Sequence, residues 1–86
     1  MEREQIKRIR SLVDELMLEC LFMLRHAVAA DTYAEFFGSD SDLPEFLAGI
    51  SMKQFREHLT NAETLIAKIR KVMDGSDENE GKGGEG

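Results

Sequence analysis

The sequence predicts an all-α fold: an antiparallel hairpin of two long helices with a short helical connector, closing as a compact bundle or as a dimeric four-helix bundle. Ile6, Ile9, Val13, Leu16, Cys20, Met23, Ala27 and Ala30 follow one another at alternating spacings of three and four, the repeat of a single helix face. Met52, Phe55, Leu59, Ala62, Ile66, Ile69 and Met73 repeat that spacing near the other end. No Gly or Pro interrupts either stretch.

The first helix is expected over residues 2–30, about 40 Å at 1.5 Å per residue. The second has a marked entry. Ser51 stands three residues before Gln54 as a capping box, and Ile50 is placed to pack on Phe55 as a hydrophobic staple, so a start at Met52 is expected. Lys68, Arg70 and Lys71 suit the negative end of its dipole, and Gly75 offers a left-handed stop. Residues 31–50 form the connector. Thr32 and Glu35 make a second capping box ahead of Phe36 and Phe37, with Gly38 as terminator, and Asp42 caps a turn from Leu43 to Leu47 that ends at Gly49. Two short helices are expected here, the alternative being a first helix that continues unbroken to Phe37.

Composition bounds the class. At 86 residues, 42% apolar, with one Tyr and no Trp, the chain is one small helical domain (1–73) with a modest core. A single cysteine excludes an internal disulfide and favours a reducing, cytoplasmic location. The greasiest run, Leu16 to Leu24, contains Glu19 and is far shorter than the ~20 apolar residues of a membrane span. The opening Met-Glu-Arg-Glu-Gln lacks the basic segment and apolar stretch of a secretory signal, so no membrane partner is expected. Of the formal charge of −6, the Gly-rich stretch 74–86 contributes five carboxylates against one lysine. That stretch has no large apolar residue with which to offset its ordering entropy, and it reads as a disordered acidic tail.

Surplus apolar surface on the first helix is the main functional signal. With the heptad seam facing the second helix, Leu18, Leu21, Phe22 and Val28 fall on the far side. At ~1.5–3 kcal/mol for each large side chain, leaving them in water forfeits on the order of 6–12 kcal/mol, comparable with a small domain's stability. The connector aromatics can fold back over them, a second copy can bury them in a four-helix bundle, or a foreign helix can occupy the groove. Leu18, Leu21, Phe22, Val28, Phe36, Phe37 and Phe46 are accordingly the candidate protein-interaction residues of a non-enzymatic module, such as a small regulator, inhibitor or assembly chaperone. A protein partner and a homodimer are the expected associations.

An antiparallel hairpin also gathers Lys7, Arg8, Arg10, Lys68, Arg70 and Lys71 at one pole, opposite Asp31, Glu35, Asp40, Asp42 and Glu45. The basic pole is the candidate contact for nucleic acid or another anion, the alternative function. It lacks the interleaved aromatics of single-strand readers, and solvated helix ends interspersed with Glu2, Glu4 and Glu63 explain it more simply. Were the acidic tail to fold back, it would screen this pole.

Catalytic and metal chemistry find no pattern. Cys20, His26 and His58 are the soft ligands besides methionine, with no Cys-x-x-Cys and no Glu-x-x-His pairs, although an antiparallel hairpin can bring His26 level with His58. Asp40-Ser41-Asp42 lacks the remaining ligands and the glycine of a calcium loop. No glycine-rich phosphate loop or nucleophile with a base is present, so no cofactor, metal or catalytic residue is assigned.

Overall fold

Helix α1 begins at Arg3 because Glu2 caps it: the Glu2 side chain accepts the backbone N–H three residues on, while the Glu2 N–H donates to Gln5 Oε1 at 2.8 Å. In this computed structural model, which describes residues 1–75, α1 spans Arg3–Ala34 and α2 spans Leu43–Met73, packed antiparallel as a rod of 62 × 22 × 14 Å. The thin dimension is that of one layer. The acidic stretch expected over 74–86 lies, from residue 76 onward, outside the described residues.

Helix α1 continues past Ala30, as in the alternative reading, but stops at Ala34 rather than Phe37, and α2 starts well before Met52, so the two short connector helices are replaced by a link of eight residues, 35–42. Helix α1 passes through the would-be cap at Thr32, whose hydroxyl donates instead to the Val28 carbonyl at 3.0 Å. Gly38 turns the chain at φ 86°, with its N–H donating to Glu45 Oε2 at 3.3 Å. Helix α2 then starts nine residues before Met52, with Asp42 at the N-cap position and Pro44 in the first turn, where the missing N–H costs nothing. Its exit is as expected: Arg70 and Lys71 occupy the last turn and Gly75 adopts φ 78°.

The capping signal at Ser51 loses because Ser51 is itself buried between the helices, one turn from buried Ala48 and level with the small residues Ala27, Ala29 and Ala30 of α1. Continuing the helix buries that face, which offsets the helical cost of Gly49, roughly 0.5–1 kcal/mol relative to Ala. A Cβ at Gly49 would meet nothing within 4 Å. Gly49→Ala should therefore raise the unfolding free energy by about 0.5–1 kcal/mol in urea titrations, with helical content unchanged.

The seam is displaced from the expected one. It runs through Gln5, Ile9, Leu12, Leu16, Glu19, Met23, His26, Ala30 and Tyr33 on α1, and through Ala48, Ser51, Phe55, His58, Ala62, Leu65, Ile69 and Val72 on α2. Alternate members of each expected seam are retained: Ile9, Leu16, Met23 and Ala30, and Phe55, Ala62 and Ile69. The others turn outward. Leu12 is 2% exposed and Leu65 7%, whereas their chain neighbours Val13 and Ile66 are 40% and 41% exposed. An apolar count favours the wrong row because five members of the true seam are polar, namely Gln5, Glu19, His26, Ser51 and His58. Leu12, Leu65 and Val72 form the core cluster, flanked by Ile9, Leu16 and Ile69.

Candidate functional site

A polar clasp sits midway along the seam. Glu19 on α1 and His58 on α2 meet at 2.6 Å between Oε1 and Nδ1, and Asn61 Nδ2 donates to the same carboxylate oxygen at 3.3 Å. The carboxylate fixes a proton on His58 Nδ1. Phe22 stacks on the His58 ring at 4.8 Å between centroids, and His26 stacks on it at 5.5 Å. Near one end, Gln5 Nε2 donates to the Val72 carbonyl at 3.4 Å. These pairs fix the register: 5 meets 72, 19 meets 58 and 61, and 22 meets 58, so residues at one level have numbers summing to between 77 and 80.

Register selection is what the clasp can do. A slip of one heptad would set Glu19 against Ser51 or against Leu65, leaving a carboxylate without its imidazole inside the seam. The hydrogen bond from His58 is the largest influence on Glu19 and lowers its pKa; desolvation opposes this, while Asn61 and the charge on His58 add to it. A carboxylate with a depressed folded-state pKa contributes stability that is present above its unfolded pKa, ~4.3, and is lost as pH falls through the folded value. Glu19→Gln should thus be less stable than the parent chain near pH 6, with the gap closing by pH 3. Urea midpoints of both proteins at the two pH values measure this.

Sequence reasoning brought His26 to His58, on which it stacks, but missed Glu19 as the partner of His58. The available signal was its place in the repeat, seven residues before His26 and seven after Leu12. No cluster of three or more His, Cys, Asp or Glu side chains suited to a metal occurs among the described residues. A shallow recess of about 270 Å³ lies beside Gly49, Met52, Lys53 and Arg56 on α2.

The expected interaction residues do not form one surface. Phe22 is half-buried against His58 and belongs to the hairpin. Leu18, Leu21 and Val28, each more than half exposed, lie along the outer side of α1, away from α2. Phe46 lies on the outer side of α2, and Phe36 and Phe37 are exposed at the turn. A link of eight residues is too short to fold back, so the connector does not cover α1.

Instead, the structure brings together a different apolar surface. A right-handed helix advances about 100° per residue, so the row one residue after Leu12, Glu19 and His26 turns to one side of the seam. Helix α2 runs the opposite way, and the row one residue after Ser51, His58, Leu65 and Val72 turns to that same side. These rows are Ile6, Val13, Cys20 and Ala27, and Met73, Ile66, Leu59 and Met52, each successive pair at one level. Met17 and Leu24 widen the strip along α1, and all of these except Ala27 are exposed. The opposite side carries Arg8, Glu15, Gln54, Asn61 and Lys68, with exposed Leu18 and Ile50 among them. One side of the rod is thus the more apolar and the other the more polar.

The cations gather at one end but encircle it. Arg8 and Lys68 sit on the more polar side, Arg10 and Arg70 flank the apolar side, and Lys7 and Lys71 occupy the outer edges. Arg10 pairs with Asp14 at 3.3 Å. No helix among the described residues is long and apolar enough to cross a membrane. No protein-family model, curated protein or solved structure matches the chain.

Proposed function

We propose that the chain is a non-enzymatic protein-interaction module of the cytoplasm, a small regulator, inhibitor or assembly chaperone, whose partner seats on the outer side of α1 towards the turn. The observation that supports this is the exposure of Leu18, Leu21 and Val28 on a helix side that no other element among the described residues approaches. Exposed Phe36 and Phe37 extend the apolar area at the same end. Exposed large apolar side chains lined along one helix side of a small protein mark an interaction site more often than they mark chance. Asp31, Glu35, Asp40, Asp42 and Glu45 lie beyond it at the turn end, while Arg25 stands within it between Leu21 and Val28, so a partner segment with apolar anchors fits best.

The alternative, a nucleic-acid accessory protein, draws on the basic end. Cations spread around both helices do not form the continuous stripe that follows a phosphate backbone, which favours the protein partner. The full-length chain and its Leu21→Glu/Val28→Glu variant, used as baits, separate the two readings. A protein held stoichiometrically by the parent and released by the folded variant is expected. Salt-sensitive retardation of DNA or RNA by both proteins, with no protein partner lost in the variant, would overturn the proposal.

A further inference from the structure

We infer that the apolar side of the hairpin is covered by a second copy of the chain, packed head to tail, so that α1 lies antiparallel on α1 of the partner and α2 on α2. This surface is separate from the outer side of α1 assigned to a heterologous partner, and neither reading depends on the other.

Area is the first argument. The hairpin alone buries five apolar side chains among the described residues, namely Leu12, Ala48, Ala62, Leu65 and Val72. A chain this small with so little core needs a staple or an oligomer, and with no disulfide an oligomer is what remains. Ile6, Val13, Met17, Leu24, Met52, Leu59, Ile66 and Met73 are each about half exposed. At roughly 200 Å² for a fully exposed side chain of this size, they leave on the order of 800 Å² open, the share of one partner in a standard-size interface. Helices that are apolar on the seam and on one flanking row are what a four-helix bundle of two hairpins requires.

Side-chain size selects the orientation. Along α1 this row shrinks steadily from exposed Ile6 through Val13 and Cys20 to partly buried Ala27. A two-fold axis through the middle of the face and perpendicular to the rod sets Ile6 against the partner's Ala27, and Val13 against the partner's Cys20. Large then meets small at every level of the α1 contact. On α2 the same axis sets Met52 against the partner's Met73, and Leu59 against the partner's Ile66, pairs of similar bulk. The alternative axis, along the rod, lays α1 on the partner's α2 and repeats at every level the sizes already found within one hairpin.

Charge selects the same orientation. The end formed by the start of α1 and the end of α2 carries Arg3, Lys7, Arg8, Arg10, Lys68, Arg70 and Lys71 against five carboxylates, Glu2, Glu4, Asp14, Glu63 and Asp74. The turn end carries Asp31, Glu35, Asp40, Asp42 and Glu45 against Arg25 and Lys53. Head-to-tail packing sets each positive end beside a negative one, whereas the other axis would pair like with like.

A thiol test reads the orientation directly. Cys20 is exposed on this face, and Val13→Cys adds a thiol one level away across the two-fold axis. Within one chain the two positions are seven residues apart, about 10 Å along the helix and beyond disulfide reach, so a bridge between them must join two chains. Sedimentation equilibrium of the full-length parent should give twice the chain mass, and mild oxidation of Val13→Cys should convert most of it to a covalent dimer. The parent, whose two Cys20 thiols lie about 10 Å apart along the interface, should stay unlinked. Ile6→Cys/Ala27→Cys/Cys20→Ala gives an independent second bridge should the change at Val13 impair folding. A monomer at all concentrations would overturn the dimer. A dimer linked by Cys20 alone, or one in which neither engineered pair forms a bridge, would overturn the head-to-tail packing. None of these outcomes bears on the retention of a partner by Leu21 and Val28.

Discussion

Leu12→Ala should cost about 2–4 kcal/mol of unfolding free energy and lower the melting temperature by on the order of 10–25 °C. Leu12 is the only large side chain of α1 that is fully buried, and it packs with Leu65 and Val72 from α2 and with Ile9, Leu16 and Ile69 at its margins. Removing it takes three carbons out of a cluster with little redundancy. The cost stays below the top of the Leu→Ala range because a layer two helices wide lets neighbours and solvent relax into the space. A domain of this size has roughly 4–11 kcal/mol in total, so the change removes a large share of it. Thermal and urea unfolding followed by circular dichroism at fixed protein concentration measure the loss.

Leu65→Glu should be still more damaging, abolishing cooperative unfolding at neutral pH. Leu65 is buried at the level of Leu12 in the apolar cluster with Val72, so a carboxylate there is desolvated among apolar side chains. Burying an unpaired charge costs several kcal/mol, comparable with the whole stability of the domain. Leu21→Glu provides the control, since the same chemical change on the outer side of α1 should alter stability by no more than about 0.5 kcal/mol. Far-ultraviolet circular dichroism of the two variants side by side should show lost helix in the first and parental helix in the second. Equal damage from both would mean that Leu21 is covered by the chain itself.

The helices were legible in the sequence because the three-four spacing of apolar residues over 2–30 and 52–73 has no other reading. Direction, number and the stop at Gly75 followed from the same local chemistry. The turn was not legible, because Thr32, Glu35, Ser51 and Gln54 carry true capping residues that the structure overrides by burying Ala48 and Ser51. Local caps are worth about 1 kcal/mol, and a buried helix face outweighs them. The seam was misread by one row for a different reason. Apolar periodicity ranks Val13 above Leu12's neighbours Gln5 and Glu19, and it has no means of knowing that Glu19 meets His58 or that Gln5 reaches Val72.

That misreading is informative about the surface. Two apolar rows compete for the seam on each helix, and a hairpin can bury only one of them. Ile6, Val13, Cys20, Met52, Leu59, Ile66 and Met73 formed a regular pattern in the sequence and stand on one side of the rod in the structure. Of the residues expected to work together, Leu21 and Phe22 were chosen as the side opposite the wrong seam and Phe46 as a connector aromatic able to cover it. The structure therefore divides them among the core margin, the outer side of α1 and the outer side of α2.

Methyl NOE spectroscopy shows which rows of the two helices face each other, with labelled chain diluted into unlabelled chain so that contacts within one molecule alone are read. Strong cross-peaks joining the Leu12 methyls to Leu65 and Val72, together with ring-current shifts from Phe22 and His58 near Leu16 and Ala62, are the expected result. Strong intrachain peaks joining Val13 to Ile66 and Ile6 to Met73, with Leu12 and Leu65 showing none to each other, would contradict it.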